Sequence, residues 1–255
     1  SRNPRYIIKE IRNEAMKVIA DTHTHTIAST HAYSTVQEMV KAASEKGLYA
    51  IALTDHAYAM PGSPGKWYFE SQHTIPSTLY GVRVLKGVEA NLIDFEGTLD
   101  VPPDLQRSLD WVVASIHSVT VRGEPSFEAC TNAWLNIAKN PNVQVIGHSG
   151  TPEYQYDYEK VIPEFAANNK LVEINNGTFR FRKKSASNCV EIAKVCKKYG
   201  AKIVINSDAH FSTMVGACEE SLEMLDEIGF PHELIVNSDK QLFMNYLQSC
   251  GISLT

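Results

Sequence analysis

The sequence predicts an α/β fold in which a parallel sheet closes into a single barrel, and three observations carry that expectation. Short β-branched runs alternate with stretches of helical periodicity along most of the chain, the pattern of β/α units around a parallel sheet. The runs are apolar almost without interruption, as strands buried on both faces are. The length, 255 residues, sits close to the ~250 typical of one such barrel.

Seven runs read as strands, at residues 18–22, 50–55, 82–88, 111–116, 143–147, 171–175 and 202–206. Between them the periodicity predicts helices over 36–46, stopped by Gly47, and over 127–139, ahead of Pro141. Further helices are expected at 159–168, at 187–199 with Gly200 behind it, at 218–228 with Gly229 behind it, and at 239–250. The stretch 91–110 is irregular, with one short helical turn after Pro103. Residues 57–72, rich in proline, glycine and aromatics, read as a loop over the barrel rim. No repeat or Gly/Ser-rich linker divides the chain, so residues 21–255 are expected to form one domain behind an N-terminal extension, 1–20.

Composition narrows the class. Hydrophobic residues make up 44% and charged residues 21% of the chain, ordinary for a soluble globular protein. No segment approaches the ~18 consecutive apolar residues that would span a bilayer, and the N-terminus lacks the apolar stretch of a signal peptide, so a cytoplasmic protein is expected. Five cysteines, odd in number and without a C-x-x-C pair, argue against a disulfide framework and against a thiolate zinc knuckle. A net charge of −5 gives no general attraction to nucleic acid and leaves a small anionic substrate as the better expectation.

The functional expectation comes from where the histidines and certain acids fall. His23 and His25 follow the first run, His56 the second, Glu89 the third, His117 the fourth, His148 the fifth, and Asp208 with His210 the seventh. His31 lies in the loop just beyond His25, and only His73 and His232 stand outside the pattern. In a parallel barrel every C-terminal strand end opens on the same face, so these groups converge in space. Imidazoles and carboxylates are ligands of Zn²⁺ and related ions. Three or four satisfy one ion, so a set this large implies two or three metals about 3.5–4 Å apart. In His23-Thr24-His25 the alternation of an extended segment puts both imidazoles on one side. Taken singly, a histidine is more often a hydrogen-bonded structural residue, and Glu89 or Asp208 could be an interior ion-pair partner or a helix cap. Crowding them together has no structural reason without a metal, because such groups are costly to desolvate side by side.

These residues resemble the PHP (polymerase and histidinol phosphatase) domain family, and within it the YcdX-type stand-alone metal-dependent phosphatases. The segments that match are Asp21-Thr-His-Thr-His-Thr26, Ala28-Ser-Thr-His-Ala-Tyr-Ser34, Thr54-Asp-His56, Gly87-Val-Glu-Ala-Asn91, His117, His148, Glu173-Ile-Asn-Asn176 and Ser207-Asp-Ala-His210. The resemblance implies a distorted seven-stranded, TIM-like (β/α) barrel with a trinuclear site of three divalent ions, usually zinc, sometimes manganese or iron. Carried over by position, His23, His25, Glu89 and Asp208 would hold one ion. Glu89 would bridge to a second, completed by His117 and His148, and His31, His56 and His210 would hold a third. Glu89, Asp208 and His210 are then the catalytic candidates.

The implied activity is that of a phosphatase acting on a small phosphorylated substrate. Coordination lowers the pKa of water from about 15.7 to about 7, so a metal-bound hydroxide would serve as nucleophile and no activated serine or cysteine is needed. Asp55, preceding His56, is expected to orient an imidazole. Arg180, Arg182 and Lys183, with Lys184 beside them, are the expected phosphate-binding cations, against the plainer reading of a solvated charge run. Two other functions remain open at this level. A nuclease or polymerase-associated 3′–5′ proofreading activity would need a basic, aromatic path for a single strand. A non-catalytic metal-binding regulatory module would be expected to have lost ligands, and none is missing here.

Overall fold

The structure, a computed structural model, describes residues 16–253, so that most of the expected N-terminal extension lies outside the described residues. Seven parallel strands, β1 (Ala20–Thr24), β2 (Ala50–Leu53), β4 (Val82–Asn91), β5 (Trp111–Ser115), β6 (Val145–Ile146), β7 (Leu171–Asn175) and β8 (Ile203–Asn206), succeed one another around the sheet. A two-residue strand, β3 (Thr78–Leu79), pairs antiparallel with β4 outside that path. The connecting helices are α1 (Val36–Glu45), α2 (Lys66–Glu70), α3 (Pro103–Ser108), α4 (Phe127–Ala138), α5 (Tyr158–Ala167), α6 (Gly177–Arg180), α7 (Ala186–Tyr199), α8 (Glu219–Glu227) and α9 (Lys240–Ser249). The chain is thus the expected distorted seven-stranded (β/α) barrel.

Helix ends follow their local chemistry. At α1, Thr35 and Glu38 form a reciprocal capping box, and α7 ends on Gly200, whose φ of 66° is the left-handed geometry that glycine adopts at least cost. The expected rim loop 57–72 is not wholly irregular. Its short α2 is pinned by Phe69 in the core and by the Tyr68 hydroxyl on Asp55.

Alternation along the strands builds the interior in two layers. Ala50, Leu85, Trp111, Val145, Leu171 and Val204 point inward at the base, where Phe243, Tyr246 and Leu247 of α9 close it. Two, four or six residues further along, in the same strands or just past their ends, the inward positions are polar: Glu173, Glu89, His56 and His117. The base is therefore a packed core and the mouth a polar cluster.

Two local features aim the ligands. Between Asp21 and Thr24 the register of β1 against β2 shifts, as at a β-bulge, and His23 and His25 face the mouth although strict alternation from inward Ala20 would send even-numbered residues there. Strand β4 continues to Asn91 where residue 88 was expected to end it, so Glu89 lies within the strand. It pairs with β2 as far as Lys86 and with β5 from Gly87 onward. A Cβ on Gly87 would sit 2.5 Å from the carbonyl of Trp111, so this change of partner requires glycine.

The seam between β1 and β8 is closed by side chains and, just past the strand ends, by the His25 amide on the Ala209 carbonyl at 2.8 Å. The Oδ1 of Asn206 accepts from the Thr22 amide and hydroxyl, both at 2.8 Å, and Asp21 accepts from the Ser207 amide at 3.1 Å. Asn237, fully buried, inserts from below, bonding the carbonyls of Ala20 (2.8 Å) and Ile205 (2.6 Å) and the amide of Ile205 (3.0 Å).

Candidate metal centre

Glu89 stands at the centre of the mouth. Its Oε1 lies 3.3 Å from His23 Nε2, 3.4 Å from His117 Nε2 and 2.9 Å from His148 Nε2. Its Oε2 lies 2.7 Å from His56 Nδ1 and 3.4 Å from His25 Nε2. Asp208 Oδ1 is 3.2 Å from His25 Nε2 and 3.6 Å from His23 Nε2. The ring of His210 stacks on His25 at 4.2 Å and on His31 at 4.5 Å, and His31 lies 5.1 Å from His56. All nine expected ligands therefore converge, with His31 at the exposed edge.

Hydrogen-bond partners decide which ring nitrogen each imidazole offers. Glu173 Oε1 lies 2.7 Å from His23 Nδ1, so that nitrogen donates and Nε2 is the one turned towards a cation. Ser29 spends its one proton on Asp55, at 2.7 Å, and its oxygen can only accept from His25 Nδ1 at 3.0 Å. Asn91 gives its amide hydrogens to Asp100 Oδ2 (2.7 Å) and the Ala57 carbonyl (3.3 Å), leaving Oδ1 to accept from His117 Nδ1 at 2.8 Å. His210 Nδ1 donates to the Asp208 carbonyl at 2.9 Å. Four rings are thus locked with Nε2 turned inward, the atom each would offer a metal.

Of these inward nitrogens only that of His117 has a partner, Glu89, within the protein. His23 Nε2, His25 Nε2, His56 Nε2 and His210 Nε2 are buried without a hydrogen-bond partner among the described residues, and Glu89 Oε2 has only His56 Nδ1, at 2.7 Å. Leaving so many buried polar atoms unpaired costs about 1–3 kcal/mol each. The ligand atoms of His25/His56/His210, of His23/His25/Glu89 and of His56/Glu89/His117 each lie within 4.8 Å of one another, a spacing that a divalent cation would close. The residues present fit a polynuclear metal site.

Electrostatics agree with that use. Burial disfavours every charge here, and it combines with His56 and His210 to hold His25 well below the ordinary imidazole range. Burial likewise lowers His117 despite the nearby Glu89 carboxylate. For Glu89, burial is outweighed by His23, His56 and His117, and for Asp208 by His23, His25 and Arg182, so both carboxyls stay ionised far below their usual range. His23 runs the other way: against burial, Glu173, Glu89 and Asp208 hold its pKa well above normal. A cation entering here would displace that proton.

Glu173 received no role in the sequence reading, yet it joins four groups. Besides His23 it accepts from the His148 amide (2.8 Å), Asn175 Nδ2 (3.0 Å) and Asn206 Nδ2 (2.9 Å). It is buried along with the apolar residues of β7, and an acid inside a strand of apolar residues is the signal that identifies it. Asp55 acts one step further out than expected: it holds Thr26, Ser29 and Tyr68, and reaches His25 only through Ser29. His148 and Asp208 carry positive φ, 23° and 56°, in the left-handed region that favours glycine, the kind of strain that collects at functional sites.

The expected cations divide. Arg182 donates both terminal nitrogens to Asp208 Oδ2 at 3.1 Å and one to Asn175 Oδ1 at 2.7 Å, and with His117 and His148 it lines a cavity of about 410 Å³. Arg180 is instead committed to Glu220 (2.7 Å) and Glu219 (3.1 Å) on α8. Lys183 and Lys184 are exposed to solvent.

A seven-stranded barrel whose strand ends deliver seven imidazoles and two carboxylates to one mouth defines a metallohydrolase-type centre. The chain belongs to the PHP domain family, which matches residues 21–177, more than half of its length. It is 47% identical over 233 residues to a protein of Acetivibrio thermocellus named "probable phosphatase", covering 91% of this chain and 96% of that protein. It is 45% identical over 231 residues to a protein of the same name from Caldicellulosiruptor saccharolyticus, again covering 91% and 96%. Among solved structures, histidinol phosphate phosphatase from Lactococcus lactis in complex with zinc, L-histidinol and phosphate superposes with a TM-score of 0.61 at 17% identity. That match covers 83% of this chain and 94% of that one, a likeness of fold.

Proposed function

We propose that this protein is a divalent-metal-dependent phosphatase that hydrolyses small phosphomonoesters at a trinuclear site. The observation that carries the reading is the set of buried, unpartnered ligand atoms around Glu89. The names of the Acetivibrio and Caldicellulosiruptor relatives support phosphatase activity, and the ligands of the Lactococcus enzyme support zinc and a small phosphorylated substrate. Among the described residues no helix is long and apolar enough to cross a membrane.

Divalent ions held by these residues would supply positive charge to a phosphoryl group and lower the pKa of a bound water to about 7. Glu89 is suited to bridge two of them, because its two oxygens face different imidazoles: His23, His117 and His148 on one, His25 and His56 on the other. His23, His25 and Asp208 would hold one ion, His117 and His148 a second, and the adjacent rings of His31, His56 and His210 a third. Arg182 is the residue best placed to clamp phosphate: Asp208 and Asn175 fix its guanidinium, its Nε has no partner among the described residues, and it shares a cavity wall with His117 and His148. Arg180, neutralised by Glu219 and Glu220, plays no direct part in this reading.

The test is turnover of p-nitrophenyl phosphate by zinc-loaded protein, by chelated protein and by Glu89→Gln. Hydrolysis confined to the zinc-loaded wild type supports the proposal, and undiminished hydrolysis in either control refutes it. A parallel screen of phosphorylated metabolites beside single-stranded DNA separates a phosphatase from a nuclease.

A further inference from the structure

A second cavity, of about 380 Å³, lies against the outside of the barrel and shares no lining residue with the cavity at the mouth. Strand β4 gives it Lys86, which follows the inward Leu85 and so points away from the interior, together with Arg83. The turn after α2 contributes Gln72 and His73. Two groups in this lining lack the partner that their burial calls for. Gln72 is only 2% exposed, and its amide nitrogen donates to the Gly87 carbonyl at 3.0 Å, which fixes the orientation of the group. Its Oε1 is then a buried acceptor with no hydrogen-bond partner among the described residues. The half-buried Lys86 ammonium has the Ser77 hydroxyl at 3.5 Å and no ion pair among the described residues. Burial holds its pKa below the ordinary lysine range, with Arg83 adding to the effect and Asp110 opposing it. The two carboxylates of the lining are engaged elsewhere, Glu70 with Lys66 at 3.2 Å and Asp110 Oδ2 with the Lys86 amide at 2.9 Å.

A buried acceptor without a donor and a half-buried cation without an anion are satisfied together by one ligand, negatively charged and carrying its own hydroxyl proton. We propose that this cavity is a second oxyanion site, separate from the metal centre, and that it binds hydrogenphosphate. Lys86, with Arg83 nearby, draws the charged oxygens, and Gln72 Oε1 accepts the P–O–H proton. Sulfate has a similar shape and charge but no proton at neutral pH. It would set oxygen against oxygen at Gln72, and a site built to accept a hydrogen bond rejects a ligand that cannot donate one. The site takes no part in the chemistry at the mouth and does not depend on the phosphatase reading.

The experiment is equilibrium dialysis of radiolabelled inorganic phosphate with the zinc-loaded wild type and with Glu89→Gln, Lys86→Met and Lys86→Arg treated in the same way, each with and without competing sulfate. The wild type is expected to bind two phosphates per chain, one at the mouth and one here. Glu89→Gln keeps the one here. Lys86→Met keeps the one at the mouth, which also reports that the variant is folded, and Lys86→Arg, with the charge retained, keeps both. In Glu89→Gln, where the mouth no longer contributes, sulfate is expected to compete at least about tenfold more weakly than phosphate. Equal phosphate binding by the wild type and Lys86→Met, or sulfate competing as well as phosphate in Glu89→Gln, overturns the second site and leaves the phosphatase reading intact. A single phosphate in the wild type that Glu89→Gln keeps and Lys86→Met loses supports the second site and counts against phosphate binding at the metal centre.

Discussion

Glu173 holds His23 by a 2.7 Å contact between Oε1 and Nδ1, with both side chains fully buried. The carboxylate fixes the tautomer and makes the opposite nitrogen a stronger ligand, while its other oxygen steadies the His148 amide at 2.8 Å. One acid outside the ligand set therefore positions two ligands. Glu173→Gln is expected to weaken zinc affinity by about 10–100-fold, the usual cost of losing such a partner, with the fold retained. Competition against a chromophoric chelator measures this, and wild-type affinity in the variant would contradict the role.

A second relay runs from Asp100 through Asn91 to His117. Asp100 also accepts the amides of Ala59 (2.7 Å) and Asn91 (2.8 Å), so it ties the loop after β2 to the end of β4. Asp100→Ala frees the Asn91 amide to rotate, and His117 loses its fixed tautomer. The expected result is loss of one metal per chain on dialysis, with the far-ultraviolet circular dichroism unchanged; full metal retention would rule the relay out.

Barrel closure depends on Asn237. Its side chain makes three buried hydrogen bonds across the seam, and Asn237→Ala would leave their partners in β1 and β8 unpaired. A loss of about 2–4 kcal/mol in unfolding free energy is expected. Urea denaturation of the metal-free protein measures it, and a loss below about 1 kcal/mol would show the seam to be held by other contacts.

Stability should also respond to Lys170 at alkaline pH. Its buried ammonium donates to the carbonyls of Asn140 and Val143 without a carboxylate beside it, and burial pushes its pKa down to about 8. In the unfolded chain a lysine titrates near ~10.4. Between those values the unfolded state binds more protons, so stability rises with pH; the penalty is complete below about 8 and fades towards 10. The urea midpoint of the wild type relative to Lys170→Met is expected to climb from pH 7 to pH 9.5, and a flat difference would contradict this.

The barrel and the ligand set were legible because both leave short-range marks. An apolar run followed by a histidine or acid reveals a strand and its mouth, and His56, His117 and His148 obey that pattern without exception. What escaped depends on contacts between distant segments. The register shift that aims His23 follows from how β1 meets β2. Continuation of β4 through Glu89 depends on a glycine passing under the Trp111 carbonyl. Glu173 lies in a segment that carries the resemblance, but its role depends on His23, 150 positions away. The cations show the same limit: Arg180 and Arg182 are two residues apart, yet α8 supplies carboxylates to the first while the second turns to Asp208. Nothing local separates them.

The central claim is that Glu89 ties several ions into one catalytic cluster. Metal content by inductively coupled plasma mass spectrometry, read alongside p-nitrophenyl phosphate turnover on the same samples of wild type and Glu89→Gln, tests it most directly. The account predicts three divalent ions per wild-type chain, and loss of both metal and turnover in the variant. A Glu89→Gln protein that keeps its full metal complement and its turnover would contradict it.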